Sequence, residues 1–410
     1  MRKAWYKKIG PATLIAAAFI GPGTVTVCTL AGVNFGMNLL WALLLSMLAT
    51  IVLQEMAARL GLITGKGLAE AIRSQLSNSG LRNTALILVF AAIIIGNSAY
   101  EAGNISGGVL GLRELIPNTQ FSLFGFPLES LVIVIGLVAF ILLYLGTYKL
   151  LERVLMGLVL LMSLCFLITA VLTGPDLLSL LKGLLIPSAP QDSIFTIIAL
   201  IGTTVVPYNL FLHAALVSEK WQSSSDLGWV RKDTLIAVGV GGLVSMAILL
   251  CGAALQGMSV NSAADLGKGL EPLLGGFAKY FIALALFAAG ITSAITAPLA
   301  AAYVARGCFG WDAGLKDLRF RSVWMIVLFV GVFFALSGSS PIAIIQFAQI
   351  ANGIVLPLIA IFLLWAVNKK GLLGQFVNTK LQNLLGLLII LICVLLSGRT
   401  LYKLITTWLA

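Results

Sequence analysis

Residues 199–217 read Ala-Leu-Ile-Gly-Thr-Thr-Val-Val-Pro-Tyr-Asn-Leu-Phe-Leu-His-Ala-Ala-Leu-Val. The stretch is a membrane-length apolar run with Gly202, Thr203, Thr204, Pro207, Tyr208 and Asn209 at its centre. Pro207 has no N–H, and its ring collides with the preceding turn, so a helix must open there. Backbone groups freed inside a bilayer are tolerated only where they face protein or a polar cavity. A second interruption lies far upstream, at Ile20-Gly21-Pro22-Gly23-Thr24. Two broken helices, one in each half of a chain, are the mark of a secondary transporter whose site lies where they meet. The competing explanation is a pair of ordinary kinks, since Gly and Pro are common in membrane helices.

The rest of the chain fits a membrane setting. It is 60% apolar and only 10% charged over 410 residues, against about 45–50% and about 25% in soluble domains. Eleven apolar runs are long enough to span a bilayer. Their expected limits are 11–36, 38–61, 84–112, 126–147, 150–173, 192–218, 230–257, 275–305, 321–337, 341–366 and 378–398. Thr64–Arg73 reads as a short amphipathic segment at the membrane face. Gly174–Pro190 and Asn261–Gly275 read as surface segments. The basic start, Arg2 to Lys8, lacks a small-residue cleavage site and reads as a cytoplasmic flank, not a removable signal.

Charge sets the expected topology. With the N-terminus inside, the cytoplasmic flank, loops and adjoining span ends carry 20 of the 26 Lys and Arg. The exceptions are Arg113, Lys182, Lys268, Lys279, Arg399 and Lys403. This asymmetry places the N-terminus in the cytoplasm and the C-terminus outside. It also accounts for the net charge of +11 without nucleic acid, because the basic residues lie in short loops and form no single patch. The five cysteines are scattered and form no CxxC pair, so neither a zinc site nor a disulfide framework is indicated. No cofactor, catalytic group or resident metal is expected; the expected partners are the lipid bilayer and a small-molecule or ion substrate.

Spans 1–5 and 6–10 then run in opposite orientations, and each group begins with its broken helix. The pattern is that of an inverted repeat. The expected division of one transmembrane domain, 1–410, is repeat one at about 11–173, repeat two at about 192–366 and an extra helix at about 378–398.

At this point the sequence resembles the NRAMP family of divalent-metal transporters over nearly its whole length. The resemblance is clearest in Gly21–Arg73, with Phe35-Gly36, Leu40-Trp41, Thr64-Gly65-Lys66, Leu68-Ala69-Glu70 and Arg73, and in Pro207-Tyr-Asn-Leu-Phe-Leu-His213. It implies an all-α integral membrane protein of LeuT-type fold: two inverted five-helix repeats plus one helix, with spans 1 and 6 unwound mid-membrane. It also implies proton-coupled metal uptake. The metal-ligand motifs, however, are replaced. Where the family has Asp-Pro-Gly-Asn, this chain has Gly21-Pro22-Gly23-Thr24; where the family has Met-Pro-His, it has Val206-Pro207-Tyr208. A carboxylate, an amide, a thioether and an imidazole have become glycine, threonine, valine and phenol.

The replacements point the sequence reading to a small polar or zwitterionic organic solute moved by alternating access. A glycine-rich break exposes N–H groups at the N-terminus of the following half-helix, where a carboxylate is stabilised. Close helix packing explains the same glycines. The expected substrate-binding residues are Gly21, Gly23, Thr24, Thr203, Thr204, Val206, Tyr208 and Asn209, with Gln349 and Asn352 of span 10. The open alternative is Mg²⁺ or Mn²⁺ on neutral oxygens, possible for hard cations although such sites normally include carboxylates. A sensor or scaffold that kept the fold is a third class; a channel lacks its polar stripe, and an enzyme lacks any nucleophile–base set.

Four residues are expected in a proton pathway. Glu101, in Gly96-Asn-Ser-Ala-Tyr-Glu-Ala-Gly-Asn104, falls where the family carries a glutamate, and an intramembrane acid is a functional candidate by default. His213 matches a family histidine and titrates near neutrality when unperturbed. Arg319 and Arg321 match family arginines near span 9. The structural alternatives are a hydrogen-bonded acid, a core histidine and two membrane-face anchors. Glu55 and Arg59 are spaced to pair on one helix. Glu129 and Glu152 are expected to face headgroups, and Trp5, Tyr6, Trp311 and Trp408 to anchor the interface.

Overall fold

The computed structural model describes residues 20–116, 119–123, 126–146, 149–312 and 314–409. Among them nine helices are long and apolar enough to cross a membrane, and Ser130–Leu145 is a shorter apolar helix. The remaining span is the first. Its second half is α1 (Pro22–Phe35), and its first half lies outside the described residues, as do Trp5, Tyr6 and the side chains of Glu152 and Trp408.

The first repeat continues with α2 (Leu40–Thr64), the short amphipathic α3 (Leu68–Gln75), α4 (Ser79–Leu115), α5 (Ser130–Leu145) and α6 (Lys149–Leu172). A surface helix, α7 (Leu177–Leu185), leads to the second repeat. There, α8 (Ile194–Thr204) and α9 (Pro207–Lys220) form one broken span. They are followed by α10 (Leu227–Ala253), α11 (Ala278–Phe309), α12 (Leu318–Ala335) and α13 (Pro341–Val367). The extra helix is α14 (Lys380–Leu409). The only strands among the described residues are a two-stranded hairpin, Gln120–Leu123 with Phe126–Glu129, so the expected start of the fourth span at 126 is a strand instead.

Packing follows small residues, as it must where lipid gives no hydrophobic drive between helices. A Cβ on Gly32 of α1 would lie 2.2 Å from the Leu249 carbonyl of α10, and one on Gly252 2.5 Å from the Thr29 carbonyl. On the other side, a Cβ on Gly61 of α2 would lie 2.1 Å from the Ala214 carbonyl of α9. Span 1 therefore seats on span 7 and span 6 on span 2, a reciprocal pairing that an inverted repeat requires. Gly111 and Gly290 bring α4 and α11 equally close, against the Ala283 carbonyl and the Gly108 backbone. The two broken spans and their partners thus lie beside a core built on spans 3 and 8.

The membrane faces carry the charges. Arg59, 1% exposed, pairs with Glu55 at 3.1 Å and donates to Asn378 Oδ1 at 2.6 Å, tying α2 to the segment before α14. Glu55 also accepts from Arg231 of α10 at 2.8 Å. Glu129 departs from the expectation of a headgroup-facing acid. It is 7% exposed, accepts from Arg113 Nε at 2.8 Å and is bonded by Thr119. Burial alone would raise its carboxyl's pKa, but the Thr119 and Arg113 bonds outweigh it and hold the group below its ordinary value.

Candidate functional site at the two helix breaks

The first break is compact. Gly21 is extended (φ −93°, ψ −179°) and Pro22 opens α1 at the position where its missing N–H costs nothing. A side chain at Gly107 would strike the Pro22 ring at 2.1 Å, so α4 lies directly under the break. A Cβ on Gly23 would lie 2.2 Å from Gln349 Nε2, so the Gln349 side chain occupies that space. Both glycines are there for close approach.

The second break leaves Val205 and Val206 outside both helices. Val205 has φ −100°, ψ 74°, and Val206 has φ −77°, ψ 118° as the residue before α9. Pro207 again takes the first helical turn. A Cβ on Gly202 would sit 1.9 Å from the Gln349 backbone carbonyl, and one on Gly353 2.7 Å from the Ile198 carbonyl. Helix α13 is thus wedged between the breaks, with Gln349 touching both.

The breaks are joined directly. Thr24 Oγ1 and Thr203 Oγ1 are 2.9 Å apart. Thr204 bonds back to the Leu200 carbonyl at 2.8 Å, and its own carbonyl receives Thr50 of α2 at 3.4 Å. The Tyr208 ring meets Tyr100 of α4 edge to face, centroids 5.5 Å apart. Thr24, Thr203, Val206, Tyr208, Asn209, Gln349 and Asn352 are all buried, so the site is shut from solvent. Yet the Tyr208 hydroxyl, both Asn209 amide atoms, Gln349 Oε1 and Asn352 Nδ2 have no hydrogen-bond partner among the described residues. Buried polar atoms are rarely left this way, because each costs about 1–3 kcal/mol. Several converging at one pair of helix breaks mark a place built to receive a polar guest.

The expected binding residues therefore share one buried layer, bridged by α13. The proton-pathway candidates do not all join it. Glu101, fully buried, packs its side chain against Gly331 of α12 and accepts from Asn104 at 3.3 Å, with its Oε1 unpartnered. It is one residue from Tyr100, which touches Tyr208. His213 Nδ1 lies 2.6 Å from Gln54 Oε1 of α2, and its Nε2 is unpartnered. Arg319 and Arg321 sit at the opposite end of α12 from Gly331. The Arg321 guanidinium lies over the Tyr144 ring at 4.2 Å, an anchor at the membrane face; its ten-residue separation from Gly331 is ~15 Å along the helix.

Tyr100 and Gln54 were not among the expected site residues. The sequence offers for each only the weak signal of a polar residue inside an apolar span, and its contact partner is more than 100 residues away. No three His, Cys, Asp or Glu side chains among the described residues are grouped to hold a metal ion. The donors at the breaks are neutral oxygens and amides.

Comparison with known proteins places this architecture. A family model described as natural resistance-associated macrophage protein-like matches residues 12–403. A curated protein named divalent metal cation transporter MntH from Erwinia tasmaniensis is 30% identical, covering 97% of this chain and 94% of the relative. One of the same name from Yersinia pestis is 29% identical, covering 99% and 97%. A crystal structure of a mutant Eremococcus coleocola manganese transporter matches at TM-score 0.76 and 22% identity, covering 100% of this chain and 89% of that one. MhsT in complex with L-phenylalanine matches at TM-score 0.57 and 15% identity, covering 94% and 98%. At these identities the two structures speak for the fold alone.

Proposed function

This chain belongs to the natural resistance-associated macrophage protein-like family, and on that premise we propose that it is a secondary transporter of the cell membrane that works by alternating access, with its cargo held between the two helix breaks. The observation that carries the proposal is the layer of buried, unpartnered polar atoms on Tyr208, Asn209, Gln349 and Asn352, set where both spans are unwound. Such a layer is stable in a protein that alternately fills and empties it.

For the cargo we adopt a divalent cation, the reading that the relatives' names support. The organic-solute expectation draws no support from those names. The donor set narrows the cation. Soft ions prefer sulfur or imidazole, and Val206 offers neither. Hydroxyl and amide oxygens suit a hard ion such as Mg²⁺ or Mn²⁺ that keeps part of its water. The missing charge is the difficulty, since a bare divalent ion in the membrane interior is costly. Glu101 is the fully buried acid among the described residues, and it lies beside the Tyr100–Tyr208 contact. The N-terminus is taken as cytoplasmic from the Lys and Arg asymmetry.

One observation favours a second reading, a small solute bearing a carboxylate. The α1 N-terminus, with glycine at positions 21 and 23, offers N–H groups and partial positive charge to an anion, and the breaks themselves hold no acid. Thermal stabilisation of the purified protein separates the two, because a ligand that binds only the folded state raises its melting point. The expected result is a saturable shift with Mn²⁺ or Mg²⁺ that is abolished in Asn209→Leu. A shift confined to amino acids or small organic acids would replace the metal reading with the second one. Saturable counterflow in liposomes is the matching test of transport itself.

A further inference from the structure

A cavity of about 510 Å³ opens on the face of the protein that carries Arg73. One wall is Phe211, Ala215 and Ser218 of α9. These residues and Tyr208 fall at i, i+3, i+7 and i+10, one stripe of a helix. The cavity therefore runs up the same side of α9 that presents Tyr208 to the breaks, and it reaches Phe211, one helical turn (~4.5 Å of rise) below Tyr208. The other walls carry Glu70, Arg73, Glu219, Arg306 and Asp312. Among the described residues these five make no ion pair with one another within 4 Å. Charges left unpaired beside a cavity of this size hold water, so the space is an aqueous vestibule.

The opposite face is different. The cavity there, about 470 Å³, stops at Phe35 and Gly36 at the far end of α1, thirteen residues or ~20 Å from Pro22. On the Arg73 side the cavity comes within one helical turn of Tyr208 at the second break, whereas a smaller one on the opposite face, about 120 Å³, reaches Ser106 beside Gly107. On the Arg73 side Phe211 is both a wall of the vestibule and 3% exposed, and it stands one helical turn from Tyr208 at the break.

We propose that Phe211 is the barrier residue on the route between the cargo site and the Arg73 face, and that displacement of its ring, without unwinding of α9, is the step that wets the breaks. The proposal rests on the breaks being the cargo site, but its test needs no cargo. All five native cysteines are buried, so an added cysteine can be followed in the full chain. Val206→Cys reports the break with little change of volume, and Ser218→Cys reports the vestibule. The probe is a positively charged methanethiosulfonate reagent applied to the detergent-purified protein. Ser218→Cys should react quickly whatever stands at 211. Val206→Cys should react slowly with Phe211 in place, at least roughly tenfold faster with Phe211→Ala, and more slowly still with Phe211→Trp. Phe211→Leu, which keeps the apolar packing, should give an intermediate rate and guards against a misfolded alanine variant, which would betray itself by labelling of the native cysteines. Equal Val206→Cys rates with Phe, Leu and Trp at 211 overturn the proposal. So does a parent in which Val206→Cys already reacts as fast as Ser218→Cys. If the gate passes this test while no ion or solute stabilises the protein, the cargo assignment fails and the gate stands.

Discussion

The two helix breaks perform the same topological task with different materials. Both contain a proline, but the first sets it between glycines and is closed by a side chain: Gln349 fills the space above Gly23. The second sets it after two valines and is closed by backbone: Gly202 lies against the Gln349 carbonyl and the Gly353 amide. A side chain can rotate away, whereas the backbone of a packed helix cannot without moving the helix. The first break is thus the adaptable half of the site and the second is its fixed reference. The same residue, Gln349, closes one with its amide and the other with its main chain.

The sharpest way to break this comparison is Gly202→Ala. Its Cβ would meet the α13 backbone at 1.9 Å, so we expect a loss of about 2 kcal/mol or more, the usual size of overpacking that forces backbone to shift. A lowered melting temperature, or loss of monodisperse protein, checks it. A smaller effect is expected from the bond joining the breaks. Thr24→Val and Thr203→Val both remove it, so the double variant should cost about 1 kcal/mol less than the sum of the two single losses. Additive losses in that cycle would show that the 2.9 Å contact is not what couples them. The smallest effect on stability should come from Gly23→Ala. Its methyl displaces only the flexible end of Gln349, and the gain in helix propensity, about 0.5–1 kcal/mol, offsets that. Stability within about 0.5 kcal/mol of the parent, with ligand-induced stabilisation altered and partly restored by Gln349→Ala, would confirm an adaptable first break. If Gly23→Ala destabilises as much as Gly202→Ala, the two halves are equally rigid and the distinction fails.

The sequence was informative where physics leaves a local trace. Pro22 and Pro207 announce the breaks in company with the glycines and threonines around them; Pro298 and Pro357, without such a Gly-Thr cluster, lie inside continuous helices. Glu55 and Arg59 announce their pairing by spacing, and the structure has them at 3.1 Å. Gln349 and Asn352 stood out as amides in an apolar span, and both lie buried in the layer of the breaks. Arg319 and Arg321 were expected to flank span 9, in a proton pathway or as membrane-face anchors; the helix puts them at its end, with Arg321 over the Tyr144 ring and away from Glu101. Glu129 looked like a span-end acid because its partner Arg113 sits across a hairpin sixteen residues away.

What the sequence by itself determined is the membrane setting, the number of spans, the inverted repeat and the position of both breaks. Each follows from apolar length, charge asymmetry and the backbone chemistry of glycine and proline, which act within a few residues. What only the tertiary structure decided is how the breaks are closed and which polar atoms are left over. Tyr100 reaches Tyr208, Gln54 reaches His213, Gln349 reaches Gly23 and Phe211 comes to separate water from the site through helix packing. Those contacts join residues tens to hundreds of positions apart, at separations fixed by which small residues let two backbones meet.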